Sequence, residues 1–358
     1  MCGEAVANGR ELRLVAGRRT AVNSSFSRRV DPSRPDGKSM LTRRQALITI
    51  ASGGTAAAFW RDIRVAAAAP QPATPVSFSV PEGACDTHTH IFCDPARFPY
   101  APTSGYRHEP ATPDYLRALH RALQIDRVVI IQPSAYATDN RCTIDGMTQL
   151  GSSARSVIAI DDKISKAALD DMDASGVRGI RVNIGRTVVD AQSRLEPAFQ
   201  RLAGRDWHIN IAVRLSMLEG LSEQISASPV PMVIDHFGGA QASLGVQQPG
   251  FDVLLDLLRR GMIYVKLSRI HNISTQAPDY ADAAPLAQAL IAANPQRVLW
   301  GTDWPHAGIR PSGYSATNIS PYFQIDDGRV FNQFPVWAPD PELRKTILVD
   351  NPARLYGF

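Results

Sequence analysis

From residue 84 onward, short apolar runs alternate with segments in which apolar residues recur every three or four positions. The runs occupy residues 84–88, 127–132, 156–160, 179–183, 208–213, 231–235, 263–267 and 297–301. Their length and composition predict eight strands. Between them, "PDYLRALHRALQI", "SKAALDDMDASG", "LEPAFQRLAG", "GFDVLLDLLRRG" and "YADAAPLAQALIAAN" carry a helical period, and several close on Gly or Asn, as helix C-termini do. Apolar strands that alternate with helices imply a parallel sheet covered on both faces. Eight such units predict an α/β fold, a (β/α)8 TIM-type barrel forming a single domain over residues 83–358. The alternative, an open doubly wound sheet, would carry a Gly-rich phosphate turn after a strand, and none is present.

The segment before the barrel has a different character. Residues 1–69 hold 12 of the 38 Lys and Arg but 5 of the 34 Asp and Glu. The remainder therefore carries 26 basic and 29 acidic residues. The positive charge belongs to this head, and the net charge of the folded part gives nucleic-acid binding no electrostatic support. Within the head, "LTRRQALITIASGGTAAAFW" places Arg43 and Arg44 before an apolar run of small residues, and "VAAAAP" follows with a small-residue cleavage pattern. This predicts a twin-arginine export signal and a periplasmic or otherwise exported mature chain. The run is short for a membrane span, so no stable span is expected in the mature protein. Met1 and Met40 both stand as candidate starts. Residues 70–82, "PQPATPVSFSVPE", read as a Pro-rich linker or a surface arm. Cys85, Cys93 and Cys142 remain after the signal, without zinc-type spacing. Cys85 reads as a small buried strand residue; pairing of Cys85 with Cys93 stays open.

Candidate chemistry gathers where barrel strands end, since active sites of this fold sit at the C-terminal mouth. The first strand ends with His88 and His90 in "DTHTHIF". The second leads to Ser134, the fourth to Arg181 and Arg186, the fifth to Arg214. The sixth ends with Asp235 and His236 in "VIDHFGG", the seventh with Lys266, Ser268 and Arg269, and the eighth with Asp303 in "WGTDWPH". Residues i and i+2 of a strand share a face, so His88 and His90 should point to one spot. Three histidines and one aspartate are thus expected to meet across the mouth.

The motifs "DTHTHIF", "IQPSAYATDN", "RGIRVN", "IDHFGG", "WGTDWPH" and the terminal "NPARLYGF" resemble the amidohydrolase-related family of the amidohydrolase superfamily, and within it the 2-pyrone-4,6-dicarboxylate lactonases. The likeness covers roughly residues 81–358 in unbroken order. It implies a hydrolase acting on carboxylic ester bonds, opening a carboxylated lactone ring. Asp303 would be the base that takes a proton from water, and His88, His90 and His236 would polarise the carbonyl. Arg181 and Arg186 would hold a substrate carboxylate, with Tyr106 and Ser134 in the pocket. The resemblance has gaps: Ala212 stands where a tyrosine is expected and Gly239 where an arginine is, and Arg269 comes early. Arg214 and Arg269 could supply those charges from new directions. The same superfamily contains lactone isomerases and metal-dependent decarboxylases, and these remain alternatives, as does a non-catalytic exported binding protein. No cofactor is favoured, because the fourth strand offers no lysine or carboxylate ligand and nearby arginines would oppose a cation. A single divalent metal such as Zn2+, on His88, His90, His236 and Asp303, is the competing expectation. The expected partner is a small lactone or cyclic carboxylate, and the oligomeric state stays open.

Overall fold

The computed structural model describes residues 69–308 and 318–358. The expected signal, save its last residue, lies outside the described residues. Eight strands form one sheet in sequence order: β1 (Cys85–Thr89), β2 (Arg127–Ile131), β3 (Ala154–Ile158), β4 (Val177–Val182), β5 (His208–Ile211), β6 (Met232–Ile234), β7 (Ile263–Leu267) and β8 (Val298–Trp300). All seven neighbouring pairs are parallel. The sheet nearly closes into a barrel just beyond the strand ends. There the His90 amide donates to the Trp304 carbonyl (2.8 Å) and the Asp303 amide to the His88 carbonyl (2.8 Å).

Helices follow the strands, and the five helical patterns appear as Pro113–Leu123, Lys166–Ser175, Val188–Leu202, Phe251–Arg259 and Ala284–Ala293. Two further crossover helices, Arg141–Leu150 and Leu215–Ser226, complete the wrapping. The third strand ends two residues earlier than its apolar pattern. The Asn140 side chain explains this: its Oδ1 accepts from the Ala159 amide (2.9 Å) and its Nδ2 donates to the Ala159 carbonyl (2.7 Å), so a side chain replaces a strand neighbour.

Cys85, Val129, Ile131, Val157, Val233, Tyr264 and Leu299 fill the barrel interior with Tyr356 at its floor. Parity along each strand then sends the next inward residues toward the mouth. From Tyr264 it selects Lys266, and from Val233 it selects Asp235. A second, larger apolar cluster packs the helices against the outer face.

Residues 70–82 do not span a gap. Asp326 accepts from the Thr74 hydroxyl (2.6 Å) and from the Ala73 and Thr74 amides, and Phe78 packs edge-on against Phe331. The buried Trp304 indole donates to the Pro70 carbonyl (2.8 Å), so this arm reaches the residue next to Asp303. Cys93 is disulfide-bonded to Cys142, and Cys85 is a buried free thiol. This corrects the open Cys85–Cys93 pairing: Cys85 points into the barrel core, while Cys93 lies in the loop beyond β1, against the first turn of the helix Arg141–Leu150 that carries Cys142. Among the described residues no helix is long and apolar enough to cross a membrane.

Candidate active site

His88 reaches the mouth because β1 is irregular. Cys85 faces the barrel interior, and strict alternation would turn His88 outward. The register breaks between Asp86 and Thr89, which re-aims the strand, as bulges beside active sites do. Gly301 makes room for it: a Cβ there would lie 2.7 Å from the His88 amide nitrogen. His236, Arg269 and Asp303 all take left-handed backbone angles (φ 56°, 58° and 66°) where β6, β7 and β8 give way to loops.

These residues converge on one oxygen. Asp303 Oδ1 lies 3.5 Å from His88 Nε2, 3.6 Å from His90 Nε2 and 3.9 Å from His236 Nε2. Asp303 Oδ2 faces Arg269 Nε at 3.6 Å. His88 and Asp303 are almost completely buried. Burial alone would raise the Asp303 carboxyl, but Arg269 and the surrounding histidines outweigh it and hold it well below the usual carboxylate range. Burial lowers His88 to about 4, against the pull of Asp235, and lowers His236 well below its ordinary value with help from His88.

Proton positions follow from the partners behind each ring. His90 Nδ1 lies 2.8 Å from the Ile131 carbonyl, which can only accept. Nδ1 therefore carries a proton and donates to that carbonyl, which turns Nε2 toward the Asp303 carboxylate. His236 Nδ1 meets the Ser268 hydroxyl at 2.8 Å. His88 Nδ1 lies 3.3 Å from Asp235 Oδ1 and 3.4 Å from Lys266 Nζ. His88 Nε2 and Asp303 Oδ1 are both buried without a hydrogen-bond partner. Two buried polar atoms left without a partner this close together leave a place for a cation between them. Three imidazole nitrogens and a carboxylate oxygen suit one divalent ion such as Zn2+, and the carboxylate oxygen with the two β1 histidines meets the spacing such a site needs. Of the arginines expected to oppose a cation, Arg181 lines the adjoining cavity and Arg214 is exposed; Arg269 faces Oδ2, the other side of the carboxylate.

Beside this cluster lies a cavity of about 590 Å³ whose lining includes Tyr106, Gln132, Ser134, Arg181, Asn183 and Ala212. Arg181 Nη1 donates to the Gln132 carbonyl (3.2 Å), and Tyr106 Oη meets Ser134 Oγ at 3.0 Å. The structure thus brings together Asp303, His88, His90, His236 and Arg269, and sets Arg181, Tyr106 and Ser134 along the adjoining cavity. Arg186 and Arg214 are exposed and lie outside its lining. Ala212, where a tyrosine was expected, opens that wall.

Two buried groups acquire meaning only in three dimensions. Asp235 and Lys266 are ion-paired (3.4 Å) directly beneath His88. His306, in "WGTDWPH", pairs with Asp327 (3.0 Å) and its amide bonds back to the Asp303 carbonyl (2.9 Å), bracing the loop that carries Asp303.

Comparison with known proteins agrees with the motifs. The amidohydrolase family model matches residues 85–358. A 4-sulfomuconolactone hydrolase of Rhizobium radiobacter is 37% identical over 293 residues, covering 79% of this chain and 93% of that protein. A 2-pyrone-4,6-dicarboxylate hydrolase of Comamonas testosteroni is 33% identical, covering 78% of this chain and 92% of that protein. A solved apo structure from Agrobacterium tumefaciens superposes with a TM-score of 0.64 at 27% identity, covering 78% of this chain and 97% of the other. With the fold, the motif order and these matches in agreement over the whole barrel, the chain belongs to the amidohydrolase family and is a hydrolase.

Proposed function

We propose that this hydrolase opens a lactone ring that carries an anionic substituent, carboxylate or sulfonate, by adding water to the ring carbonyl. The observation that carries the reading is the convergence of three histidine nitrogens on Asp303 Oδ1 beside a cavity that holds Arg181. The substrate's anion would sit against Arg181, whose fork matches carboxylate and sulfonate oxygens. Its ring carbonyl would then face the histidines. Tyr106 and Ser134, already bonded to each other, would give up that contact to substrate oxygens.

Asp303 accepts the proton of the attacking water. The hydroxide adds to the carbonyl carbon, the ring C–O bond breaks, and the proton held by Asp303 passes to the departing ring oxygen. The product carries a new carboxylate, so each turnover releases one proton at neutral pH. His88, His90, His236 and Asp303 would hold a single divalent ion, which supplies Lewis-acid polarisation and acidifies water. That assistance suits a base as weak as this buried Asp303. Arg269, held against Oδ2, keeps the carboxylate ionised and oriented. We also propose export through the twin-arginine route; the buried Cys93–Cys142 bond supports it, since such bonds persist in oxidising compartments.

The test is a panel of neutral, carboxylated and sulfonated lactones, followed at constant pH by base consumption. Hydrolysis of the anionic members with one base equivalent per turnover is expected. Product formation without base uptake would indicate isomerisation, and CO2 release decarboxylation; either would overturn the reading.

A further inference from the structure

Lys266 has no part in the reaction above, and it is the most deeply buried cation of the site. It lies on β7 with no exposed surface, and the parity of that strand points it into the barrel. Its Nζ lies 3.4 Å from Asp235 Oδ1 and 3.4 Å from His88 Nδ1. Asp235 is equally buried, and its Oδ1 also accepts from Asn210 Nδ2 at 2.6 Å. Asn210 Oδ1 in turn faces His208 Nε2 at 2.9 Å. A polar layer therefore closes the barrel directly below the reacting groups.

Two arrangements of protons fit this triangle. In one, Lys266 donates to His88 Nδ1, and the His88 proton sits on Nε2, against Asp303. In the other, Lys266 donates to Asp235, and Asp235 accepts the proton on His88 Nδ1. Charge decides between them: an ammonium gains more from a carboxylate than from a neutral imidazole, and the Nδ1–H bond to Asp235 is charge-assisted as well. We propose that Lys266 is a positioning residue, which holds Asp235 as the acceptor of the His88 Nδ1 proton and so leaves the His88 Nε2 lone pair facing Asp303 Oδ1. Carboxylate–histidine pairs behind a ligand nitrogen act in this way. Here the carboxylate itself lies in the barrel core and needs the lysine, since an unpaired buried charge is not tolerated. The inference rests on the geometry around His88 and deepens the proposed use of that ring.

Three variants test it: Lys266→Met, Asp235→Asn and the double substitution, which removes both charges together and protects the experiment if Lys266→Met fails to fold. The readouts are the His88 tautomer, from nitrogen-15 NMR of histidine-labelled protein with a His88→Gln control; zinc affinity, by competition with a chelator; and melting temperature. In the unsubstituted protein His88 should carry its proton on Nδ1. In the double variant the melting temperature should return toward that of the parent. Zinc affinity should stay roughly 10–100-fold weaker, the usual loss when a ligand's supporting partner is removed, and the His88 tautomer should be mixed. A purely structural pair would recover all three together, which would overturn the proposal. So would a His88 proton found on Nε2 in the parent. If the parent binds no zinc, the metal reading fails by itself, and the tautomer comparison still decides the role of Lys266.

Discussion

Breaking the Cys93–Cys142 bond should lower stability by an amount the chain separation sets. The two cysteines are 49 residues apart. A closed loop of that length removes about 4 kcal/mol of unfolded-chain entropy in the loop-closure account. Residues 69–358 form a domain of about 290 residues, and at about 2.1 cal/mol/K per residue its unfolding entropy is about 0.6 kcal/mol/K. The melting temperature should therefore fall by roughly 7 °C on reduction. Reduction of the parent protein is the cleaner perturbation, because it keeps both sulfurs in place; Cys93→Ala with Cys142→Ala should then melt low and ignore reductant. Both partners are buried, and Cys93 lies three residues past His90, so the bond also tethers the loop after β1 to the helix after β2. Thermal unfolding with and without reductant measures the shift. Thiol counting on the unfolded, unreduced chain is the check: outside the first 69 residues, only Cys85 should react. If Cys93 and Cys142 react as well, or if reduction leaves the melting temperature unmoved, the reasoning fails.

Other perturbations separate the parts of the site. Asp303→Asn keeps the shape of the side chain and removes its basicity, so turnover should fall at least about a hundredfold, and near-normal turnover in the folded variant would remove Asp303 from the role of base. Arg181→Lys should weaken anionic lactones by roughly tenfold or more, from the loss of a charge-assisted bond worth about 1.5–3 kcal/mol, while neutral lactones change little; equal losses in KM would make Arg181 structural. His208 is lowered to about 3 by burial, against an ordinary 6.5. Between those values the unfolded chain binds the extra proton, so stability is lost as pH falls; at pH 5 the His208 share is about 2 kcal/mol, and denaturant titrations at pH 5 and 8 should show a flatter slope in His208→Gln. Arg43→Lys with Arg44→Lys should leave the precursor inside the cell, as fractionation would reveal; continued delivery would reject the export reading.

The barrel was legible because its strands are apolar on both faces and its helices keep their period; only boundaries moved, as at β3, where Asn140 replaces a strand neighbour. The convergence of His88, His90, His236 and Asp303 was legible for the same reason: each stands at the end of a strand, and the fold fixes where strand ends go. What stayed hidden depends on contacts between distant segments. The partner of Cys93 is set by how the loop after β1 lies on the helix after β2. Lys266 and Asp235 were visible at their strand ends, but their pairing beneath His88 needs the barrel to be closed. Exposure was not legible either: Arg181 and Arg186 are close in sequence, yet one lines the cavity and the other faces solvent.

The left-handed backbone at His236, Arg269 and Asp303 links these observations. Each such residue costs roughly 1–2 kcal/mol in a non-glycine side chain, so a fold free to relax would not place three at one mouth. They persist because the surroundings over-determine them. Asp303 is pinned by its amide bond to the His88 carbonyl, by the His306 amide on its own carbonyl, and through Trp304 by the Pro70 carbonyl of the arm. His236 is pinned by Ser268. Arg269 is pinned by the Ala307 carbonyl (3.2 Å) and by Asp303. Strands ending in ordinary extended backbone would carry these side chains past one another. The left-handed turns bring them back over the barrel axis, so that residues from β1, β6 and β8 meet on one oxygen and β7 supplies the charge against the other. The strain at the mouth and the salt-bridged layer below it therefore serve one arrangement: a carboxylate held ionised among imidazoles, each anchored by a polar partner behind its ring.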